Sequence, residues 1–190
     1  SRHVRHIGIP RQGGDLETSG KGHRGTEVKN NSSTKAKNHI AVYNIAIYIY
    51  LIGVAIGSLF NKKIKKMWRG EREAVDLLKE KVDPTAKYVW FHAASLGEFE
   101  QGRPLIEQLR ATHPEYKILL TFFSPSGYEV RKNYEGADIV CYLPLDTIRN
   151  ARRFLRAVHP VMAFFIKYEF WYNYLHILRH RGVPVYSVSS

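Results

Sequence analysis

The stretch "YVWFHAASLGEFEQ", Tyr88 to Gln101, runs from an apolar, β-rich segment through three tiny residues and a glycine to two carboxylates, Glu98 and Glu100. Its order is strand, tight loop, helix. Ser95-Leu96-Gly97-Glu98 has the spacing of a capping box, in which a serine and a glutamate three residues on satisfy each other's orphan N–H groups. A second reading of the same residues stays open beside it. Small side chains bring unpaired N–H groups and the positive end of a helix dipole to one point and leave a carboxylate there unobstructed. In that reading Ser95 and Gly97 are binding positions and Glu98 is a carboxylate held in place with open space above it. Glu100 reads as a solvent-facing acid of the first turn.

Working outward, the same grammar repeats from about Glu71. "KYVWFHA", "YKILLTFF", "ADIVCYLPL", "PVMAFFIK" and "VPVYSVSS" read as strands, while "EFEQGRPLIEQLRA", "GYEVRKNY", "TIRNARRFLRAV" and "WYNYLHILRHR" read as the helices between them. Strands joined by crossover helices imply a parallel sheet, and near-continuous apolar strands imply one covered on both faces. The fold class is therefore α/β, a Rossmann-like domain over residues 71–190. Ligands of such sheets meet the loops at the carboxyl ends of the strands, here "AASLGE", "SPSG", "PLDT" and "KYEFW". Ser126-Gly127-Tyr128-Glu129 again has capping-box spacing, and Ser124, Ser126 and the backbone at Gly127 suit a sugar or a phosphate. Lys167, Glu169 and Trp171 stand among aromatic residues, which suits either a sugar-binding surface or packing of the next helix.

Several classes lose support. No GxGxxG follows a strand and no GxxxxGK[ST] exists, so dinucleotide and P-loop motifs are lacking. His176 and His180 have a metal-compatible spacing, but no third ligand accompanies them and no metal site is assigned. Cys141 has no intrachain partner and reads as a small buried hydrophobe. The formal charge of +12 suggests nucleic acid only until it is divided along the chain. Residues 1–39 hold 8 Lys/Arg against 3 Asp/Glu, residues 61–70 hold 5 against 0, and residues 71–190 hold 16 against 14. The domain itself is nearly neutral.

Residues 1–39 are poor in apolar clusters and read as a disordered tail, or as an appended or upstream segment, since the chain opens on Ser1. Residues 40–60 carry no charge and are about as long as the roughly 20 residues that cross a bilayer. They read as a membrane anchor helix, spanning or interfacial. The juxtamembrane segment 61–70 follows, with Lys62, Lys63, Lys65 and Lys66, the pattern of a cytoplasmic membrane boundary. Arg149, Arg152, Arg153 and Arg156 share one helix face, solvated or set against anionic headgroups.

An apolar anchor, "NKKIKKMWRGERE", "WFHAASLGEFEQ", "LLTFFSPSGYE", "YLPLDT" and "KYEFWYNYL", in that order, resemble the 3-deoxy-D-manno-octulosonic acid (Kdo) transferases of lipopolysaccharide biosynthesis. The resemblance covers about Ile40 to Ser190. It implies one half of a two-domain GT-B glycosyltransferase, the half that receives the lipid A precursor, with the donor CMP-Kdo held mainly by a carboxyl-terminal domain. It further implies that Glu98 is the general base and that no cofactor or metal is needed. The charge distribution sets nucleic acid aside as a partner, and the basic cluster after the anchor places the domain on the cytoplasmic side, by the resemblance that of the inner membrane. Lys167 departs from the family pattern, in which an acid commonly stands there; Glu169 and Trp171 match it. The alternative is a non-enzymatic, membrane-tethered module binding anionic lipid through its arginines.

Overall fold

The computed structural model describes residues 4–6, 41–50, 62–167 and 171–188. Strand β2 (Lys87–Ala93) is its centre, and six of its seven residues are buried. It pairs in parallel with β3 (Tyr116–Phe122) on one side and β5 (Met162–Ile166) on the other. Beyond them lie β4 (Ile139–Tyr142) and β6 (Val185–Val188), also parallel. A short β1 (Val4–His6) closes the edge antiparallel to β6, giving the order β1-β6-β5-β2-β3-β4. Within residues 1–39, expected from composition to lack fixed structure, these three residues are thus an edge strand; the remainder of that segment lies outside the described residues.

Residues 41–50 are helical and are called α1. Helix α2 (Lys62–Lys81) runs without interruption from the basic cluster into the domain. The sequence reading assigned no element there, although Ala74, Val75 and Leu78 make a buried stripe at helical spacing. The other helices are α3 (Leu96–Thr112), α4 (Pro125–Arg131), α5 (Ile148–Val158) and α6 (Tyr172–His180). Successive residues of β2 point to opposite faces of the sheet. Trp90 therefore packs with residues of α2, α5 and α6 in one core, and Phe91 packs with Phe99 and Ile106 of α3 in another. Both faces are covered, as the apolar strands imply.

Strands β2, β3 and β4 are laid outward in order, and the chain then returns to the far side of β2 for β5 and β6. The topological switch point lies between β2 and β5, and ligands of such sheets meet the strands' carboxyl ends there. Gly102 lets α3 lie against β5, since a Cβ there would come within 2.0 Å of Ile166 Cδ1. Glu98, one turn earlier on α3, is thereby placed at the carboxyl end of β2.

Two first-turn glycines differ in what the fold asks of them. A Cβ on Gly127 would lie 2.2 Å from the buried Phe122 ring, whereas one on Gly97 meets nothing within 4 Å. Gly127→Ala is expected to lower stability by about 1–3 kcal/mol through overpacking, and Gly97→Ala to leave it unchanged or slightly raised, as helix propensity favours. Chemical denaturation of the two variants checks this.

Candidate functional site

The β2 loop begins at Ala94, and Ser95 caps α3 from an extended backbone. Its Oγ accepts from the Glu98 N–H at 3.5 Å, and its carbonyl accepts from the Phe99 N–H at 3.0 Å. Glu98 reciprocates, but one residue upstream of the expected partner: Oε2 accepts from the Ala94 N–H at 2.6 Å. Oε1 makes no hydrogen bond to the described residues. Glu98 is half-buried and Gly97 exposed, so one carboxylate oxygen is fixed while the ground above the glycine is open.

The β3 loop is stitched to this one, for the Ser124 N–H donates to the Ala94 carbonyl at 2.8 Å. The sequence spacing put the cap of α4 at Ser126; the structure puts it at Ser124, with Pro125 in the first turn. Proline's fixed φ and missing N–H suit that position. Ser124 offers its own helix no side-chain cap bond and instead shares a hydrogen bond with Ser126 Oγ. Both hydroxyls stand beside the β2 loop. Gly127 is buried on Phe122, so packing accounts for it.

The β5 loop supplies Lys167, exposed and in the left-handed region at φ 66. Few non-glycine residues adopt that conformation, and such strain concentrates at binding loops. Its N–H is tied to the Val188 carbonyl at 2.8 Å. Glu169 lies outside the described residues. Of the two readings open for Trp171, the structure takes packing over a sugar-binding surface, since the residue is only 7% exposed. Its ring packs on His92, Phe123 and Tyr174 at centroid distances of 4.9, 5.6 and 5.8 Å, so it supports the loop from beneath.

Glu100 is also not the solitary acid expected: it pairs with Arg103 of its own helix and with Arg131 of α4. Arg149, Arg152, Arg153 and Arg156 are all exposed on α5, while Ala151, Phe154, Leu155 and Val158 fill its inner face. Lys62, Lys63, Lys65 and Lys66 fall on the first turns of α2, with side chains outside the described ones. Residues 51–60 of the expected anchor also lie outside. Among the described residues no helix is long and apolar enough to cross a membrane, and no group of three or more His, Cys, Asp or Glu could hold a metal.

Three residues escaped sequence reasoning. His92 is fully buried, with Nδ1 2.9 Å from Thr121 Oγ1. That hydroxyl also accepts from Trp90 Nε1–H and lies 3.3 Å from the Phe91 carbonyl, so one threonine ties the imidazole to its neighbours in the central strand. Asp146, in the "PLDT" loop, accepts from the N–H groups of Asn173 and Tyr174 at 3.1 and 3.2 Å and from the Tyr43 hydroxyl. It caps α6 from another strand's end and fastens α1 to the same point. Burial raises its carboxyl above the ordinary range, against the pull of those hydrogen bonds. Glu71 has no partner for Oε1; burial pushes its carboxyl up to about 8, partly offset by the Leu145 N–H.

Fold and loops together define a Rossmann-like domain with a held carboxylate in the loop after its central strand. Residues 67–190 match the family model described as 3-deoxy-D-manno-octulosonic-acid transferase (kdotransferase), and the chain belongs to that family through its N-terminal domain. Among its relatives is the 3-deoxy-D-manno-octulosonic acid transferase of Haemophilus influenzae, 34% identical over 102 residues, 53% of this chain and 24% of the relative. The Aquifex aeolicus enzyme of the same name is 36% identical over 84 residues, 44% and 23% of the two chains. A protein of Arabidopsis thaliana named as a probable mitochondrial 3-deoxy-D-manno-octulosonic acid transferase is 33% identical over 93 residues, 48% and 21%. The matches span about a quarter of the length of these relatives.

Glu71 makes stability depend on pH with a definite sign. A carboxyl that holds its proton better folded than unfolded favours the fold fully below its ordinary value of 4.5, and that contribution is lost as pH rises toward about 8. The melting temperature is therefore expected to fall between pH 5 and pH 9, and Glu71→Gln, which stays neutral, to flatten most of that slope. Thermal melts across the range check it.

Proposed function

We propose that the intact protein transfers Kdo from CMP-Kdo to a lipid A precursor in lipopolysaccharide biosynthesis, and that this chain is the portion receiving the acceptor. Family membership supports the class of reaction. The observation that carries the site assignment is Glu98: its Oε2 is fixed by the Ala94 N–H, its other oxygen is unengaged by described residues, and Gly97 beside it is open. In the reaction an acceptor hydroxyl oxygen bonds to the anomeric carbon of Kdo as the bond to CMP breaks, and Glu98 takes the hydroxyl proton. A carboxylate in hydrogen-bond reach of that hydroxyl is suited to the task. Ser95, Ser124 and Ser126 line the approach as hydrogen-bonding groups, and Lys167 offers a cation to an anionic substrate. Donor binding is assigned to the part of the relatives that this chain does not match.

The acceptor in this reading is a lipid, the proposed location is the cytoplasmic side of the inner membrane, and α1 supports contact with a bilayer. Tyr43 and Asn44 hold that helix to Asp146 and Asn173, while Val42, Ile45 and Ile49 stand out at 65, 59 and 66% exposure. Such a stripe suits the apolar boundary of a bilayer, next to the carboxyl edge of the sheet. The exposed arginines of α5 favour a second reading, a tethered module that binds anionic lipid without catalysis.

The two readings separate on one substitution. With CMP-Kdo and a lipid A precursor, the intact protein is expected to yield a Kdo-bearing lipid by mass, and Glu98→Gln to reduce the rate about 10²–10⁴-fold while folding and lipid binding persist. Equal transfer by both would make Glu98 a helix cap only, and transfer by neither, with lipid binding retained, would favour the module.

A further inference from the structure

A cavity of about 420 Å³ lies between α2 and the start of α5, lined by Glu71, Arg72, Asp76, Arg149, Asn150 and Arg153 among others. Its size falls within the roughly 300–1,000 Å³ of small-molecule sites. Three guanidiniums from two helices converge on it, and none makes a hydrogen bond or ion pair with a described residue. Elsewhere Arg103, Arg110, Arg131 and Arg181 each have a partner. Asp76 is engaged by Lys79 at 2.8 Å. Asn150 Nδ2 donates to the Leu145 carbonyl, which leaves its Oδ1 as an acceptor. At the floor, Glu71 Oε1 is closed off from solvent with no partner. Because burial holds that carboxyl protonated at neutral pH, it presents an O–H and does not repel an anion.

We infer that this cavity binds a sugar phosphate, the three arginines taking the phosphate and Glu71 with Asn150 taking ring hydroxyls. Guanidinium forks match phosphate oxygens bidentately. A carboxyl beside them with one buried oxygen left unpartnered asks for a hydroxyl-bearing ligand rather than a bare anion. The assignment rests on the proposed function in that a phosphorylated sugar headgroup of the acceptor is its natural occupant. It differs from diffuse headgroup attraction in one respect: only Arg149 and Arg153 of the α5 face belong to it, joined by Arg72, and Arg152 and Arg156 do not.

The test titrates the detergent-solubilised chain with glucosamine 1-phosphate, with inorganic phosphate and with phosphatidylglycerol vesicles. Two double variants of equal charge are compared, Arg72→Gln with Arg153→Gln and Arg152→Gln with Arg156→Gln, and thermal melts verify folding. Saturable binding of the sugar phosphate that weakens at least tenfold in the first variant only, with inorganic phosphate binding more weakly than the sugar phosphate, supports the assignment. Binding that is unsaturable, equally weakened in both variants, no tighter than inorganic phosphate, or displaced as well by the vesicles overturns it. If the first variant keeps full affinity while Glu98→Gln abolishes Kdo transfer, the pocket falls and the proposed function stands. If no Kdo is transferred yet binding follows Arg72 and Arg153, the pocket stands and the proposed function falls.

Discussion

The carboxylate of Asp146 is the point at which separate parts of the chain are made to agree. It sits after β4, 2% exposed, where a charged group costs several kcal/mol unless its lone pairs are filled. They are filled by two backbone N–H groups at the start of α6 and by a hydroxyl from α1. The Asn173 amide returns the favour to the Asp146 carbonyl at 2.6 Å and also reaches Asn44. The start of α6 thereby has a cap that its own N-cap residue, Trp171, does not supply. That cap fixes where α6 begins, and with it the ring that supports the β5 loop and the direction in which α1 leaves the domain.

Much of this architecture was legible from residue types because it rests on local rules. β2, β3 and β5 are buried on both faces and therefore read as unbroken apolar runs, and the helices between them carry a 3.6-residue stripe. The strand-end loops were found for the same reason. What stayed hidden depends on pairs distant in sequence. Asp146 meets Asn173 across 27 residues and Tyr43 across 103. His92 needs Thr121 of the neighbouring strand. No periodicity marks such partners, and a polar residue inside an apolar run signals only that a partner exists. The shift of the α4 cap from Ser126 to Ser124 is a local rule outweighed by another, proline's preference for the first turn. Residue type left Trp171 open between surface and packing, and its position after a buried strand decides for packing, with His92, Phe123 and Tyr174 around it.

The capping and reactive readings of Glu98 need not compete, because they use different oxygens. A hydrogen bond from the Ala94 N–H to Oε2 removes the rotational freedom that a surface glutamate otherwise keeps, so in the proposed reaction the second oxygen would be oriented before a hydroxyl arrived. Orientation of that kind is a large part of what a site contributes to a two-body reaction. Ala94 is held in turn by its carbonyl, which accepts from Ser124 at the end of β3. The carboxylate is thus referenced to two central strands rather than to a loop alone. A helix cap would be served equally by a larger residue at position 97, since the fold leaves that space empty and asks for no left-handed backbone there. The glycine contributes nothing to the cap that alanine would not improve, and its cost in helix stability is offset only if something must pass close to the carboxylate.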